Sequence, residues 1–260
     1  MKNKKIVYYH GCFVNYFDHK TGDSTFAVLE QNGFEVQMPE LVCCGYPLLN
    51  SGEIGKVRKN AKKLVDTLAG FVSQGYEIVY TCPTCGHSLK EVFPELLQNE
   101  AAAQVAARAS LISEFLLELR EAGELNLEFA EKKRNIVYHV SCHLRALSNP
   151  SVSADLLSIL PGAEVHCHNR GCCGMGGTWA LKTKKQSELS GKIGEPVFEI
   201  IKELKPQLLS TDCAGCQIQI ARHTGLSEKE LAHPIQIIAE AYRNYIKPHL
   251  SKNRIHVLKR

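Results

Sequence analysis

Ten of the eleven cysteines form two sets of five. Cys12, Cys43-Cys44 and Cys82-Pro-Thr-Cys85 recur as Cys142, Cys172-Cys173 and Cys213-Ala-Gly-Cys216, and Cys167 is left over. The offsets between corresponding members are 130, 129, 129, 131 and 131 residues, so five positions keep register across half the chain. Five gathered thiols point to a metal, a cluster or redox chemistry in a reducing compartment, because a secreted disulfide framework would need an export signal. A four-iron cluster takes thiolate ligands, usually four, from closely spaced turns or strand ends. Neighbouring side chains on an extended chain point apart, so a Cys-Cys doublet fits the corner of a small zinc site poorly but reaches different irons of a larger cluster. Gly45 and Gly174 give the backbone room to approach such a cluster.

Structural zinc remains the alternative, since paired CxxC motifs also build zinc ribbons, although such a site closes with four ligands. Covalent haem fits less well still, because neither Cys85-Gly nor Cys216-Gln supplies the adjacent histidine. A thioredoxin-like dithiol would leave three cysteines of each set unexplained.

The flanking sequence repeats as well. Ile6-Val-Tyr-Tyr-His-Gly-Cys12 matches Ile136-Val-Tyr-His-Val-Ser-Cys142, and Cys-Cys-Gly stands in both halves. The chain therefore reads as an internal duplication of two homologous lobes, residues 1–122 and 134–260, divided where Gly123 and a charged run interrupt the pattern. Within lobe one, apolar residues 6–9 predict a buried strand, 24–31 a helix stopped by Asn32-Gly33, 34–38 a second strand, 56–72 a helix and 78–80 a third strand. Lobe two repeats the order. Alternating strands and helices imply an α/β fold, each lobe a mostly parallel sheet flanked by helices, with ligands at the carboxyl ends of the strands. All five thiols of a lobe would collect there.

Composition narrows the setting. A formal charge of +4 spread over 260 residues gives nucleic-acid binding no support. No run approaches the roughly 18 to 20 apolar residues of a spanning helix, and no signal-peptide region is seen. The expectation is a cytoplasmic protein that reaches a membrane only through a partner.

At these motifs the sequence resembles the cysteine-rich, or CCG, domain family. Such domain pairs occur in the B subunit of heterodisulfide reductase, the C subunit of anaerobic glycerol-3-phosphate dehydrogenase, the glycolate oxidase iron-sulfur subunit and the lactate-utilisation iron-sulfur protein. His10-Gly-Cys12-Phe-Val-Asn-Tyr16 and Gly171-Cys-Cys-Gly-Met-Gly-Gly-Thr178 look nearest the dehydrogenase type, while the length is similar to the reductase type. The resemblance implies one non-cubane [4Fe-4S] cluster on Cys12, Cys43, Cys44, Cys82 and Cys85. It implies a second on Cys142, Cys172, Cys173, Cys213 and Cys216. It also implies an oxidoreductase subunit working with flavoprotein and ferredoxin-like iron-sulfur subunits, and passing electrons to a disulfide or a quinone. The resemblance carries the expectation that the ferredoxin-like module of the dehydrogenase subunits is missing here, and that electrons come from or go to a separate partner. In the reductases the paired clusters are thought to split a disulfide, which would make Cys12, Cys43, Cys44, Cys142, Cys172 and Cys173 catalytic through their clusters.

Other residues divide between a functional and a structural role. His10, His139 and His143 lie within three residues of a proposed ligand and could hydrogen-bond cluster sulfur or carry protons. Alternatively, His10 and His139 are buried strand-end residues satisfied by backbone. Cys167 reads as a small buried hydrophobe. Gly174, Gly176 and Gly177 read as clearance around a cluster, and Trp179 as packing beside it. Lys182, Lys184, Lys185 and the basic tail 243–260 read as solvated faces, or as a docking surface for an acidic partner or anionic substrate.

Overall fold

The computed structural model describes residues 5–147, 149–227 and 229–242, so the basic tail lies outside the described residues. The first half runs β1 (Lys5–Tyr9), α1 (Gly11–Tyr16), α2 (His19–Gln31), β2 (Glu35–Gln37), α3 (Tyr46–Leu49), α4 (Ile54–Val72) and β3 (Glu77–Tyr80). It continues with α5 (Pro83–His87), a π-helical turn at Ser88–Val92, α6 (Phe93–Leu97), α7 (Glu100–Arg108), β4 (Ala109–Leu111) and α8 (Ile112–Glu121). The second half follows the same plan through β5 (Arg134–His139), α9 (Cys142–Leu147), α10 (Val152–Leu157), β6 (Ala163–His168), α11 (Lys184–Leu204) and β7 (Leu208–Ser210). It closes with α12 (Ala214–Thr224), β8 (Leu231–Ala232) and α13 (Pro234–Ala241).

Each half builds a four-stranded, all-parallel sheet, in the orders β2-β1-β3-β4 and β6-β5-β7-β8. The two architectures are thus α/β and equivalent. The central strands are apolar on both faces and fully buried at Ile6, Val7, Ile78, Val79, Ile136 and Leu209, as a sheet covered by helices on both sides requires. Helix α4 seats on its sheet through Val57, Ala61, Leu64, Val65 and Leu68, a stripe at helical spacing. Helix α2 starts five residues before the position that apolar spacing predicts. Asp18 accepts the Thr21 amide at 3.2 Å and so caps the turn.

The halves are not separate balls. Helices α2, α8, α10 and α13 form a common seam, α8 lying on α10 and α13 on α2. Buried polar pairs fix it. Ser153 Oγ lies 2.8 Å from Ser113 Oγ, Gln236 donates to Asp18 and Thr21 at 3.0 and 2.8 Å, and His233 Nε2 meets the Thr81 carbonyl at 2.9 Å. One apolar core passes through the seam from Ile6 and Leu116 to Leu156 and Ile238.

Candidate functional site: two facing thiol pockets

Parallel strands deliver their carboxyl ends to one edge, and the cysteines follow those ends. Cys12 sits in the first turn after β1, Cys82 directly precedes α5 after β3, and Cys43-Cys44 lie on the loop between β2 and α3. The loop is tied down from two sides. The Tyr9 hydroxyl donates to the Val42 carbonyl at 2.8 Å, and Asn60 on α4 donates to the Cys43 carbonyl at 3.3 Å. The second half reuses the device at the equivalent helix position. Ser190 on α11 donates to the Gly174 carbonyl at 2.8 Å and is itself held by Gln219 at 2.7 Å.

Within each pocket the five thiols touch in one unbroken order. In the first it runs Cys12, Cys43, Cys44, Cys85, Cys82. In the second it runs Cys142, Cys172, Cys173, Cys216, Cys213. Cys12 Sγ and Cys43 Sγ are 3.9 Å apart, and Cys173 Sγ and Cys216 Sγ 3.2 Å. The Gly45 and Gly174 amides each donate at 3.4 Å to the sulfur two residues earlier, Cys43 and Cys172.

Protons distribute unevenly along such a row. Cys43 and Cys172 are pulled down, to about 3 and about 2, because the thiols on either side donate to them. The same donation pushes Cys12 and Cys142 far up, and Cys44 and Cys173 up to about 12, with burial adding to it. Sulfurs packed this closely cannot all ionise beside one another unless positive charge enters among them. A multi-iron core in each pocket would supply that charge and take the five thiolates of its own row. The fit is therefore good.

The pockets face each other across the junction of α5 and α9. The Thr84 hydroxyl, inside the first CxxC, lies 3.9 Å from Cys213 Sγ of the second pocket and 3.0 Å from His143 Nδ1. Tyr46, His87 and His143 cluster there, with ring centroids 4.6 Å apart for Tyr46 and His143 and 5.1 Å for the two histidines. His143 is pushed down to about 4, chiefly by burial and next by His87. Tyr46, Thr84 and His87 carry no spacing signal, and sequence reasoning passed over them. Only the packing of one half on the other gives them a place.

The remaining expectations divide. His143 lies between the pockets, whereas His10 borders a small cavity lined by Tyr8, Val14, Asn15, Phe26 and Met38 and by no cysteine. The Tyr8 backbone and the Asn15 side chain stand against the His10 ring. Nδ1 of His139 has no hydrogen-bond partner among the described residues. Burial lowers both groups, His139 to about 4. Cys167 is exposed rather than buried, because β6 is an edge strand with an open face. Trp179 packs on the apolar group around Cys173, Cys213 and Cys216, as expected. Lys182 bridges the halves through Ser51 at 2.9 Å, while Lys184 makes only a long surface pair with Glu188, 4.0 Å.

The sequence profile of the cysteine-rich CCG domain matches residues 6–90 and again 136–221. The chain is 32% identical over 239 residues to the C subunit of anaerobic glycerol-3-phosphate dehydrogenase of Escherichia coli, covering 91% of this chain and 59% of that one. It is 28% identical to lactate utilization protein A of Bacillus licheniformis, covering 90% and 98%. It is also 28% identical to the B subunit of fumarate reductase (CoM/CoB) of Methanothermobacter marburgensis, covering 92% and 46%. The chain thus spans about six-tenths of the dehydrogenase subunit and under half of the fumarate reductase subunit. A crystal structure of a hypothetical protein from Helicobacter pylori shares the fold, with a TM-score of 0.56 at 12% identity over 94% of this chain and 50% of that one. Two profile matches that together cover most of the chain, each enclosing one complete thiol pocket, make it a member of the CCG cysteine-rich domain family.

Proposed function

We propose that the chain is the iron-sulfur subunit of a multi-subunit oxidoreductase, with one four-iron cluster, non-cubane, on each set of five cysteines. It carries electrons between a flavoprotein partner and a disulfide or quinone acceptor. The observation that carries this reading is the pair of identically ordered thiol rows meeting at Thr84 and Cys213. Bound clusters would supply one-electron storage on each side of that contact. The chain itself does the rest. It presents ten sulfurs, buries half of those cysteines, donates the Gly45 and Gly174 amides to Cys43 and Cys172, and fixes the distance between the pockets through the seam. The oxidoreductase setting is supported by the relatives, which are subunits of a dehydrogenase and of a fumarate reductase. A reducing cytoplasm keeps such thiols available as ligands, and no helix among the described residues is long and apolar enough to cross a membrane.

A second reading has a specific observation in its favour. Tyr46, His87 and His143 form a partly open polar patch between the pockets, which suits a subunit that reduces a disulfide there itself.

The test is iron, zinc and acid-labile sulfide content with electron paramagnetic resonance on protein purified without oxygen. About eight irons and eight sulfides per chain are expected for two four-iron clusters. About two zincs without sulfide would replace the proposal with a structural zinc module. Cys44→Ser and Cys173→Ser then test five-cysteine ligation, because unchanged spectra in both would rule it out.

A further inference from the structure

The halves are equivalent in fold but not in what they place at the junction. Thr84 of the first CxxC corresponds to Gly215 of the second, and His143 after Cys142 corresponds to Phe13 after Cys12. Thr84 reaches across to Cys213, with His143 on its other side. Its own main-chain amide serves Cys82, and its hydroxyl lies within reach of that sulfur too. Gly215 has no side chain with which to return the contact. A Cβ added there would meet Met175 Cγ at 3.3 Å and Cys213 Sγ at 3.8 Å.

A hydroxyl carries one proton. In the neutral tautomer that carries its proton on Nδ1, His143 donates to Thr84 Oγ1 and leaves the hydroxyl proton for sulfur. A hydrogen bond to a ligating sulfur stabilises the more negative, reduced state and so raises the potential. We propose that Thr84 is a positioning residue that acts across the lobe boundary: its hydroxyl donates to Cys213 and raises the potential of the second-half cluster above the value it has without that hydroxyl. The inference rests on the two-cluster reading, and metal analysis decides that reading independently.

The experiment is a potentiometric titration of the anaerobically purified protein followed by electron paramagnetic resonance. Each signal is assigned to a half by its alteration in Cys44→Ser or Cys173→Ser. Thr84→Val keeps the shape and the main-chain amide but removes the hydroxyl, with Thr84→Ala as the second variant and Thr84→Ser as the rescue. Iron and sulfide content per chain is the loading control. The expected result in Val and Ala is a negative shift of the second-half cluster, about tenfold in the reduced-to-oxidised ratio at fixed potential, which is ~59 mV for one electron. The first-half cluster moves less, and Thr84→Ser restores the wild-type value. No shift of the second-half cluster in fully loaded variants, or a shift no larger than that of the first, overturns the inference.

Discussion

Replacing Gly174 by alanine asks whether the doublet loops are held as the geometry implies, and replacing Gly45 supplies its own control. Both residues have left-handed backbone, with φ of 83° and 76°. Any side chain at either therefore costs about 1–2 kcal/mol. Their surroundings differ. A Cβ on Gly45 would find its nearest neighbour, Val57 Cγ1, at 3.6 Å, an ordinary contact. A Cβ on Gly174 would lie 2.1 Å from the Ser190 carbonyl oxygen, in the backbone of α11. A helix held at both ends cannot yield cheaply, so overpacking adds roughly 1–3 kcal/mol. The Gln219-Ser190-Gly174 hydrogen-bond chain is disturbed as well, at about 1 kcal/mol. The expected loss is about 4 kcal/mol for Gly174→Ala against about 1–2 for Gly45→Ala. At about 2–4 °C per kcal/mol for a chain of this size, the two melting temperatures should fall by roughly 12 °C and 5 °C. Circular dichroism melts of anaerobically purified protein, with iron content measured on the same samples, read both. Equal shifts for the two variants would refute the claim that α11 clamps the second doublet more tightly than α4 clamps the first.

Asp212 is buried among the Tyr138 hydroxyl, Ser153 Oγ at 3.0 Å and His233. Asp212→Ala strands those partners and should cost about 3 kcal/mol, while Ser153→Ala costs about 1; chemical denaturation compares them. His139 is depressed to about 4 by burial. An unfolded chain therefore takes up its proton below about pH 6.5 while the folded one does not. Stability from this group is intact above pH 6.5 and is lost as pH falls toward 4, by up to about 3 kcal/mol. His139→Asn should flatten that limb of the denaturation-versus-pH curve, and an unchanged curve would assign the acid lability to other groups. Cys167 is the exposed cysteine outside both pockets. Maleimide should accordingly attach one label per cluster-loaded chain, and none after Cys167→Ser, by intact-mass measurement.

The duplication was legible because five cysteines hold their register across half the chain, which chance does not produce, and Ile6 and Ile136 announced the central strands on which everything else hangs. The strands β4 and β8 are three and two residues long, too short for periodicity to register. Helix α13 is apolar almost all round, buried at Ile235, Ile237 and Ile238, and nothing local says that it seats on a helix of the other half. Thr84 and His87 looked like filler around a CxxC. Their importance depends on a contact more than fifty residues away in sequence, with His143. Cys167 misled for the opposite reason: its residue type favours burial, but it sits on the edge strand β6 and is exposed.

The seam of α2, α8, α10 and α13 makes the same contact twice, because α8 on α10 and α13 on α2 are equivalent pairings. That is the isologous interface of a symmetric dimer, here enclosed in one chain. Two identical subunits would be bound to carry the same residue on both sides of their axis, and each metal centre would sit in a copy of the other's surroundings. Fusion removes the obligation. Thr84 can differ from Gly215 and His143 from Phe13, so the two proposed centres need not be equivalent.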